Sequence, residues 1–211
     1  MDLFIGPRKR LVEHLREKGI SDERVLKAIE RVPRHLFVSE AMQAYAYDDT
    51  ALPIGYGQTI SQPYTVAFML EKLNVKPGHK VLDVGTGSGY QAAILAELGA
   101  NVYSIERIYP LYEEAKERLA KLGYNNVKVF YRDGWIGLPE YAPYDRIVVA
   151  AAAPQPPEKL LKQLNIGGIM IIPIGDEHFQ KLVRIKRVSE DQYEKEDLGP
   201  FVFVPLKKGK E

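Results

Sequence analysis

Lys80-Val81-Leu82-Asp83-Val84-Gly85-Thr86-Gly87-Ser88-Gly89-Tyr90 decides how this chain is read. Val81, Leu82 and Val84 make a short apolar run, the pattern of a strand buried on both faces of a parallel sheet. Glycines follow at 85, 87 and 89, and Gln91 to Leu98 then reads as a helix. A strand, a glycine turn and a helix N-terminus in that order let a ligand come close to the backbone. A dinucleotide-binding turn has Gly-x-Gly-x-x-Gly. Here the third glycine comes one residue early, and Tyr90 stands where the last one belongs. An acid, Asp83, lies inside the strand just before the turn.

An acid followed by Gly-x-Gly-x-Gly resembles the binding loop of class I S-adenosyl-L-methionine methyltransferases; a glycine-rich turn in some other α/β protein is the alternative. The resemblance implies a site for that cofactor at Asp83, Gly85, Thr86, Gly87, Ser88 and Gly89. The cofactor has no pyrophosphate to cradle, but it carries an ammonium and a sulfonium, which carboxylates suit. A second strand, Asn101 to Ile105, ends in Glu106, roughly 20 residues after the turn, where nucleotide-binding α/β folds place a ribose-binding acid. A carboxylate there accepts from both ribose hydroxyls; otherwise it is a strand-end Glu facing water. Arg107 beside it is counted with the same site.

The composition narrows the class. With 211 residues, 45% apolar and 27% charged, the chain describes an ordinary globular protein, expected as one domain over 1–211. A net charge of +1 gives no field that draws nucleic acid or anionic lipid. There is no cysteine for disulfide or thiol chemistry, and the four histidines show no metal-ligand spacing. No apolar run approaches a membrane span and no signal peptide opens the chain, so a cytoplasmic monomer is expected.

Outward from the glycine turn, Arg8 to Lys18 and Asp22 to Arg31 read as amphipathic helices, with Ser21 as the cap of the second. A third helical piece lies around Ser39 to Tyr45. These precede the sheet and form an N-terminal cap, packing on the sheet edge or walling a substrate cleft. Asp48 to Gln62 is a long connection with Pro53, Gly55 and Gly57. Pro63 opens the next helix, to Leu73, so Ser61 or Gln62 can cap its N-terminus, and capping is the reading of Ser61 that sequence physics favours. Pro110 to Leu122 is a helix and Val127 to Tyr131 a strand. Asp133 and Gly134 follow it on the rim where such folds bind ligands; Asp133 could accept the adenine amino group or be a turn residue. Strand Arg146 to Ala150, helix Pro156 to Leu164 and strand Ile169 to Ile174 come next. Leu182 to Val188 pairs with Phe201 to Val204 across an acidic connection, Ser189 to Asp197. The sum is a doubly wound, mostly parallel sheet (63–211) of five parallel strands, with a helical cap and loop (1–62) and a closing antiparallel hairpin.

The run after the fourth strand, Ala150-Ala151-Ala152-Ala153-Pro154-Gln155-Pro156-Pro157, lacks the Asn/Asp-Pro-Pro-aromatic element of enzymes that methylate exocyclic amines. The absence of cysteine removes the cysteine-adduct route to C5-methylpyrimidines. With Gly57-Gln58-Thr59-Ile60-Ser61-Gln62-Pro63, Ile171-Ile172-Pro173-Ile174-Gly175 and Phe203-Val204-Pro205-Leu206, the chain resembles the protein-L-isoaspartate O-methyltransferase family almost end to end. That resemblance implies methyl transfer from S-adenosyl-L-methionine to the abnormal α-carboxylate of isoaspartyl residues in proteins. It makes Ser61 the active-site residue, and places Thr59, Ile60, Gln62 and Val204 against the substrate. A methyltransferase of small molecules or nucleic acid on the same scaffold, and a non-catalytic cofactor-binding module, are the competing readings.

Overall fold

The computed structural model describes residues 1–211. Helices α1 (Ile5–Glu17) and α2 (Glu23–Arg31) are followed by two 3-10 turns, Arg34–Phe37 and Glu40–Tyr45. A hairpin, β1 (Leu52–Gly55) and β2 (Gln58–Ile60), leads into α3 (Pro63–Leu73). Strand and helix then alternate through β3 (Lys80–Val84), α4 (Tyr90–Glu97), β4 (Asn101–Glu106), α5 (Tyr109–Lys121) and β5 (Val127–Tyr131). The chain continues as β6 (Tyr144–Val149), α6 (Glu158–Gln163), β7 (Leu164–Gly175), β8 (Gln180–Arg187) and β9 (Tyr193–Pro200).

The large sheet runs β5-β4-β3-β6-β7-β8-β9, with β3 to β7 parallel and the last two strands antiparallel. This is the doubly wound, mostly parallel architecture expected. From β3 the chain builds β4 and β5 outward, then returns to lay β6 on the other side of β3. The switch point therefore sits at the carboxyl ends of β3 and β6, where such folds open a crevice. Alternation along β3 sends Val81 into one apolar cluster and Leu82 and Val84 into the cluster on the opposite face. Asp83 shares the face of Val81, toward α4.

The cap helices do not sit on a sheet edge. Leu11, Leu15, Leu26 and Ile29 join Leu70 of α3 and Ile94 of α4 in one core, so the cap covers the helices on that face. Three further expectations are corrected. Asp22, not Ser21, caps α2 by accepting from the Arg24 N–H, while Ser21 bonds Glu71. The connection over 48–62 carries a hairpin whose two-residue turn, Tyr56-Gly57, has positive φ at both positions, the primed turn that matches strand twist. The closing partner of β8 is β9, made from the acidic connection, and Phe201 to Val204 lies outside the ladder. Hydropathy conceals β9 because it is an edge strand with Glu194 to Asp197 exposed, held by cross-strand pairs such as Lys181–Asp197 at 2.8 Å.

Candidate active site

A cavity of about 930 Å³ opens at the carboxyl ends of β3, β4 and β6. Its lining includes Gly85 to Ser88, Glu106, Arg107, Ile108 and Gly134. It also includes Gln58 to Gln62, Tyr64, Phe68 and Phe201 to Leu206, of which Leu206 packs beside Gly134. Its volume is at the upper end of the range for small-ligand sites, room for two ligands meeting end to end.

The glycine turn is built from backbone contacts. Gly85 and Thr86 N–H both donate to the Ile105 carbonyl, at 2.9 and 3.1 Å, which ties the turn to the end of β4. Gly87 has φ +55, a conformation costly for a residue with a Cβ, and its N–H donates to Glu106 Oε1 at 2.9 Å. Glu106 Oε2 accepts from the Ile108 N–H at 2.9 Å, so this carboxylate spans the turn and the start of α5 while facing the cavity. Ser88 Oγ accepts from the Tyr90 N–H at the start of α4.

Not every acid expected at this site faces the cavity. Asp83 is fully buried behind the turn. Its Oδ1 accepts from Gln91 Nε2 at 2.9 Å and its Oδ2 from the Ser104 hydroxyl at 2.8 Å, and Ser104 stands 2.6 Å from the Thr86 hydroxyl. Asp83 therefore reaches the cavity only through its partners, Gln91 on one side and Ser104 with Thr86 on the other. Burial pushes its pKa up to about 6 against the pull of those two hydrogen bonds. Gly89 lies at the N-terminus of α4, where an added Cβ would press on Leu119. Asp133 accepts from the Trp135 N–H and the Gly209 N–H, both at 2.9 Å. The Arg107 side chain bonds the Gly209 carbonyl and the Glu211 carboxylate, both at 3.1 Å. Asp133 and Arg107 thus hold segment 206–211 along the ends of β4 and β5, and Gly134 packs against Val84 and Leu206.

Thr59 and Ile60 at the end of β2, Ser61 and Gln62 after it, and Val204 on the 201–206 segment line the same cavity. The capping role expected for Ser61 or Gln62 is not what the structure shows. The Gln62 side chain takes no backbone N–H of α3 and meets only the Thr65 hydroxyl, at 3.5 Å. Asp49 caps the helix instead, its Oδ1 accepting from the Tyr64 N–H at 2.8 Å while Oδ2 meets Lys18 at 2.7 Å and His14 at 3.0 Å. Burial works against the Asp49 charge, but Lys18, the Tyr64 N–H and His14 outweigh it and hold the pKa below the usual carboxylate range. The carbonyl of Ser61 is engaged, accepting from Arg34 Nη2 at 2.9 Å, and its hydroxyl is left to the cavity.

The 201–206 segment is held by a side chain acting as a strand. The Gln180 amide accepts from the Phe203 N–H at 2.8 Å and donates to the Phe203 carbonyl at 3.0 Å. On the far side Ala152 donates to Val204 O at 2.8 Å and accepts from the Leu206 N–H at 2.7 Å. Sequence reasoning missed Gln180, Ser104, Asp49 and Arg34, because a lone polar residue at an apolar position carries no local signal of its distant partner. No group of three or more His, Asp or Glu side chains could hold a metal ion. No helix is long and apolar enough to cross a membrane.

Comparison with known proteins agrees with this geometry. Residues 7–211 match the model of the protein-L-isoaspartate(D-aspartate) O-methyltransferase family. A protein-L-isoaspartate O-methyltransferase of Dictyoglomus thermophilum is 55% identical over 200 residues, 95% of this chain and 90% of the relative. One from Cytophaga hutchinsonii is 52% identical over 204 residues, 97% and 92% of the two chains. Among solved structures, one assigned as the Plasmodium falciparum protein-L-isoaspartate O-methyltransferase, in complex with S-adenosyl-L-homocysteine, superposes with a TM-score of 0.85 at 31% identity. That superposition covers 96% of this chain and 99% of the other. A match this continuous, over both the glycine turn and the Thr59–Gln62 wall, means that the chain belongs to the protein-L-isoaspartate(D-aspartate) O-methyltransferase family.

Proposed function

We propose that this chain uses S-adenosyl-L-methionine to methylate the α-carboxylate of L-isoaspartyl residues in damaged proteins, with Ser61 as the residue that holds that carboxylate. The observation that carries the reading is one cavity lined both by Thr59 to Gln62 with Val204 and by the glycine turn with Glu106. The residues present suit the cofactor. Glu106 offers a carboxylate with lone pairs to spare for hydroxyls, Gly85 and Gly87 put bare backbone at the wall, and Ile108 and Leu206 give apolar surface for a base. Gly85 to Ser88, Glu106 and Gly134 would touch the cofactor. Asp83, Gly89, Arg107 and Asp133 would act by holding the turn and the 206–211 segment in place.

Bound cofactor supplies a methyl group made electrophilic by its sulfonium. The protein's own part is to bring an anion to it. A carboxyl group that titrates at about 4 is already ionised at neutral pH, so no general base is needed. In this reading the Ser61 hydroxyl donates to one carboxylate oxygen and leaves the other to react. Thr59, Ile60 and Gln62 hold the peptide beside it, with Val204 against its backbone. Alignment of this kind supplies on the order of several kcal/mol, and the apolar walls replace water around an anion about to lose its charge. The ester product has a better leaving group than the acid. The neighbouring peptide nitrogen displaces it, and the resulting succinimide opens partly to normal aspartate.

The reading places the protein in the cytoplasm as one functional unit, and its cysteine-free composition suits a reducing compartment. The deciding experiment gives labelled S-adenosyl-L-methionine to the enzyme with an isoaspartyl peptide and with its aspartyl twin. Base-labile label in the first alone is expected. Label in RNA or a metabolite, with none in the isoaspartyl peptide, would refute the substrate assignment.

A further inference from the structure

Arg34 is fully buried, yet it forms no ion pair. Its hydrogen bonds go to three carbonyls: Nε to Ala46 at 2.7 Å, and Nη2 to Thr50 at 3.3 Å and to Ser61 at 2.9 Å. Nη1 is buried with no hydrogen-bond partner. The guanidinium stands 4.8 Å from the ring centroid of Tyr90, and Tyr90 and Ser61 both line the cavity. The titratable groups that bear on it are Tyr90, Tyr47 and Asp49. The two phenols are neutral at pH 7, burial pushing the pKa of each up. Asp49 spends its carboxylate on Lys18, His14 and the end of α3. A buried cation is costly unless an anion accompanies it, and carbonyl dipoles and a ring face compensate only in part.

We propose that Arg34 is a positioning residue for the anionic substrate. It fixes the Ser61 segment by its carbonyl, and from behind the wall it supplies the positive charge that the arriving carboxylate completes. This rests on Ser61 holding the isoaspartyl carboxylate. Three carbonyls account for the donors of Nε and Nη2 but not for the charge or for the unpartnered Nη1, and the arriving carboxylate accounts for the charge. Burial pushes the pKa of Arg34 down, and an anion at the cavity wall acts in the opposite direction.

The test is charge discrimination, which a merely structural role would not produce. An isoaspartyl peptide and its isosteric carboxamide are compared for binding to the wild-type chain, Arg34→Gln and Arg34→Lys, with thermal unfolding and cofactor affinity measured alongside. The wild type should prefer the carboxylate by about tenfold or more, the effect of one weakly screened charge several ångströms away. Arg34→Gln should bring that ratio toward one while cofactor affinity stays within about twofold, the spread of a distant and independent site. Arg34→Lys should restore most of the ratio. A folded Arg34→Gln with the wild-type ratio overturns the proposal. A second measurement needs no variant: a peptide labelled with ¹³C at the isoaspartyl carboxyl is titrated in complex with wild-type enzyme and S-adenosyl-L-homocysteine. A carboxyl pKa below that of the free peptide is expected, and an equal or higher one overturns the proposal. A wild-type enzyme that leaves the peptide unmethylated overturns the reaction and this role together. Turnover with an unchanged ratio removes Arg34 alone.

Discussion

Asp83→Asn is expected to leave the fold intact, to flatten one part of the pH–stability profile and to weaken cofactor binding. The wild-type carboxylate has no exposure to solvent and no cationic neighbour, only the Gln91 amide and the Ser104 hydroxyl. Burial raises its pKa from 3.8 to about 6, with Glu106 adding to the rise. The sign follows from proton counting. Between about pH 4 and 6 the native chain holds a proton on Asp83 that the unfolded chain has released, so stability falls as pH rises through that window and stays lowered above it. A shift of this size is worth about 3 kcal/mol at most. Asparagine has the same shape and does not titrate, so the difference between the two proteins isolates this group while every other carboxylate cancels. At pH 4 they should be nearly equal in stability. At pH 7 the variant should be the more stable by up to about 3 kcal/mol, since the pKa of about 6 already includes the hydrogen bonds to the ionised form.

Urea unfolding of both proteins without cofactor, from pH 4 to 7.5, measures that difference directly. Parallel curves across the whole range would show that Asp83 is not desolvated as the structure has it. The same variant should bind S-adenosyl-L-methionine about tenfold less tightly, because Ser104 must turn to satisfy the new amide and so releases the Thr86 hydroxyl on the cavity wall.

Three further outcomes follow from the site. Ser61→Ala should change stability by less than about 0.5 kcal/mol, because Asp49 rather than Ser61 caps α3, yet lower kcat/KM for an isoaspartyl peptide at least tenfold; wild-type kcat/KM in the folded variant would remove Ser61 from the site. Asp49→Ala should destabilise by about 1 kcal/mol or more through loss of the cap, with a rise in peptide KM, since α3 begins directly after Ser61; denaturant unfolding beside steady-state kinetics reads both. Gln180→Ala frees the Phe203 backbone, so peptide KM should rise several-fold with cofactor affinity unchanged, and calorimetry showing equal losses for both ligands would contradict that division.

The parallel core was legible because its strands are apolar and α4 and α5 stop at Gly99 and Gly123, signals carried within a few residues. The glycine turn and Glu106 were legible through spacing along the chain. What spacing could not show is what lies over a polar group. Asp83 and Glu106 both sit at strand ends beside the turn, yet one is sealed while the other fronts the cavity. Both point to the same sheet face, since Asp83 pairs with Ser104 and Glu106 lies two residues beyond it, so the difference is what lies above each, a tertiary fact. The closing hairpin misled for a related reason. Phe201 to Val204 has the apolar character of a strand, but its partner on one side is the Gln180 side chain, while the true edge strand is hidden by its charge. Ser61 was read as a cap from its place before Pro63, and Asp49, the residue that does the capping, lies a hairpin away in sequence.

These corrections share a cause that bears on the chemistry. The acids around the cavity are mostly committed to backbone N–H groups: Glu106 to Gly87 and Ile108, Asp49 to Tyr64, Asp133 to Trp135 and Gly209. They therefore fix loops, and a carboxylate so engaged is less free to compete with an incoming anion. Around Ser61 the wall then offers its hydroxyl, the Tyr64 and Phe68 rings and the Val204 segment. The nearby charges are cations, Lys18 held on Asp49 and Arg34 behind the Ser61 carbonyl. A transfer from a sulfonium to a carboxylate removes one charge of each sign, so it gains from surroundings that solvate ions poorly and hold them accurately. A general base or a second free carboxylate at Ser61 would add charge that the product state could not use. Spending the acids on the backbone satisfies five N–H groups around the cavity and keeps free negative charge away from the reacting end at the same time.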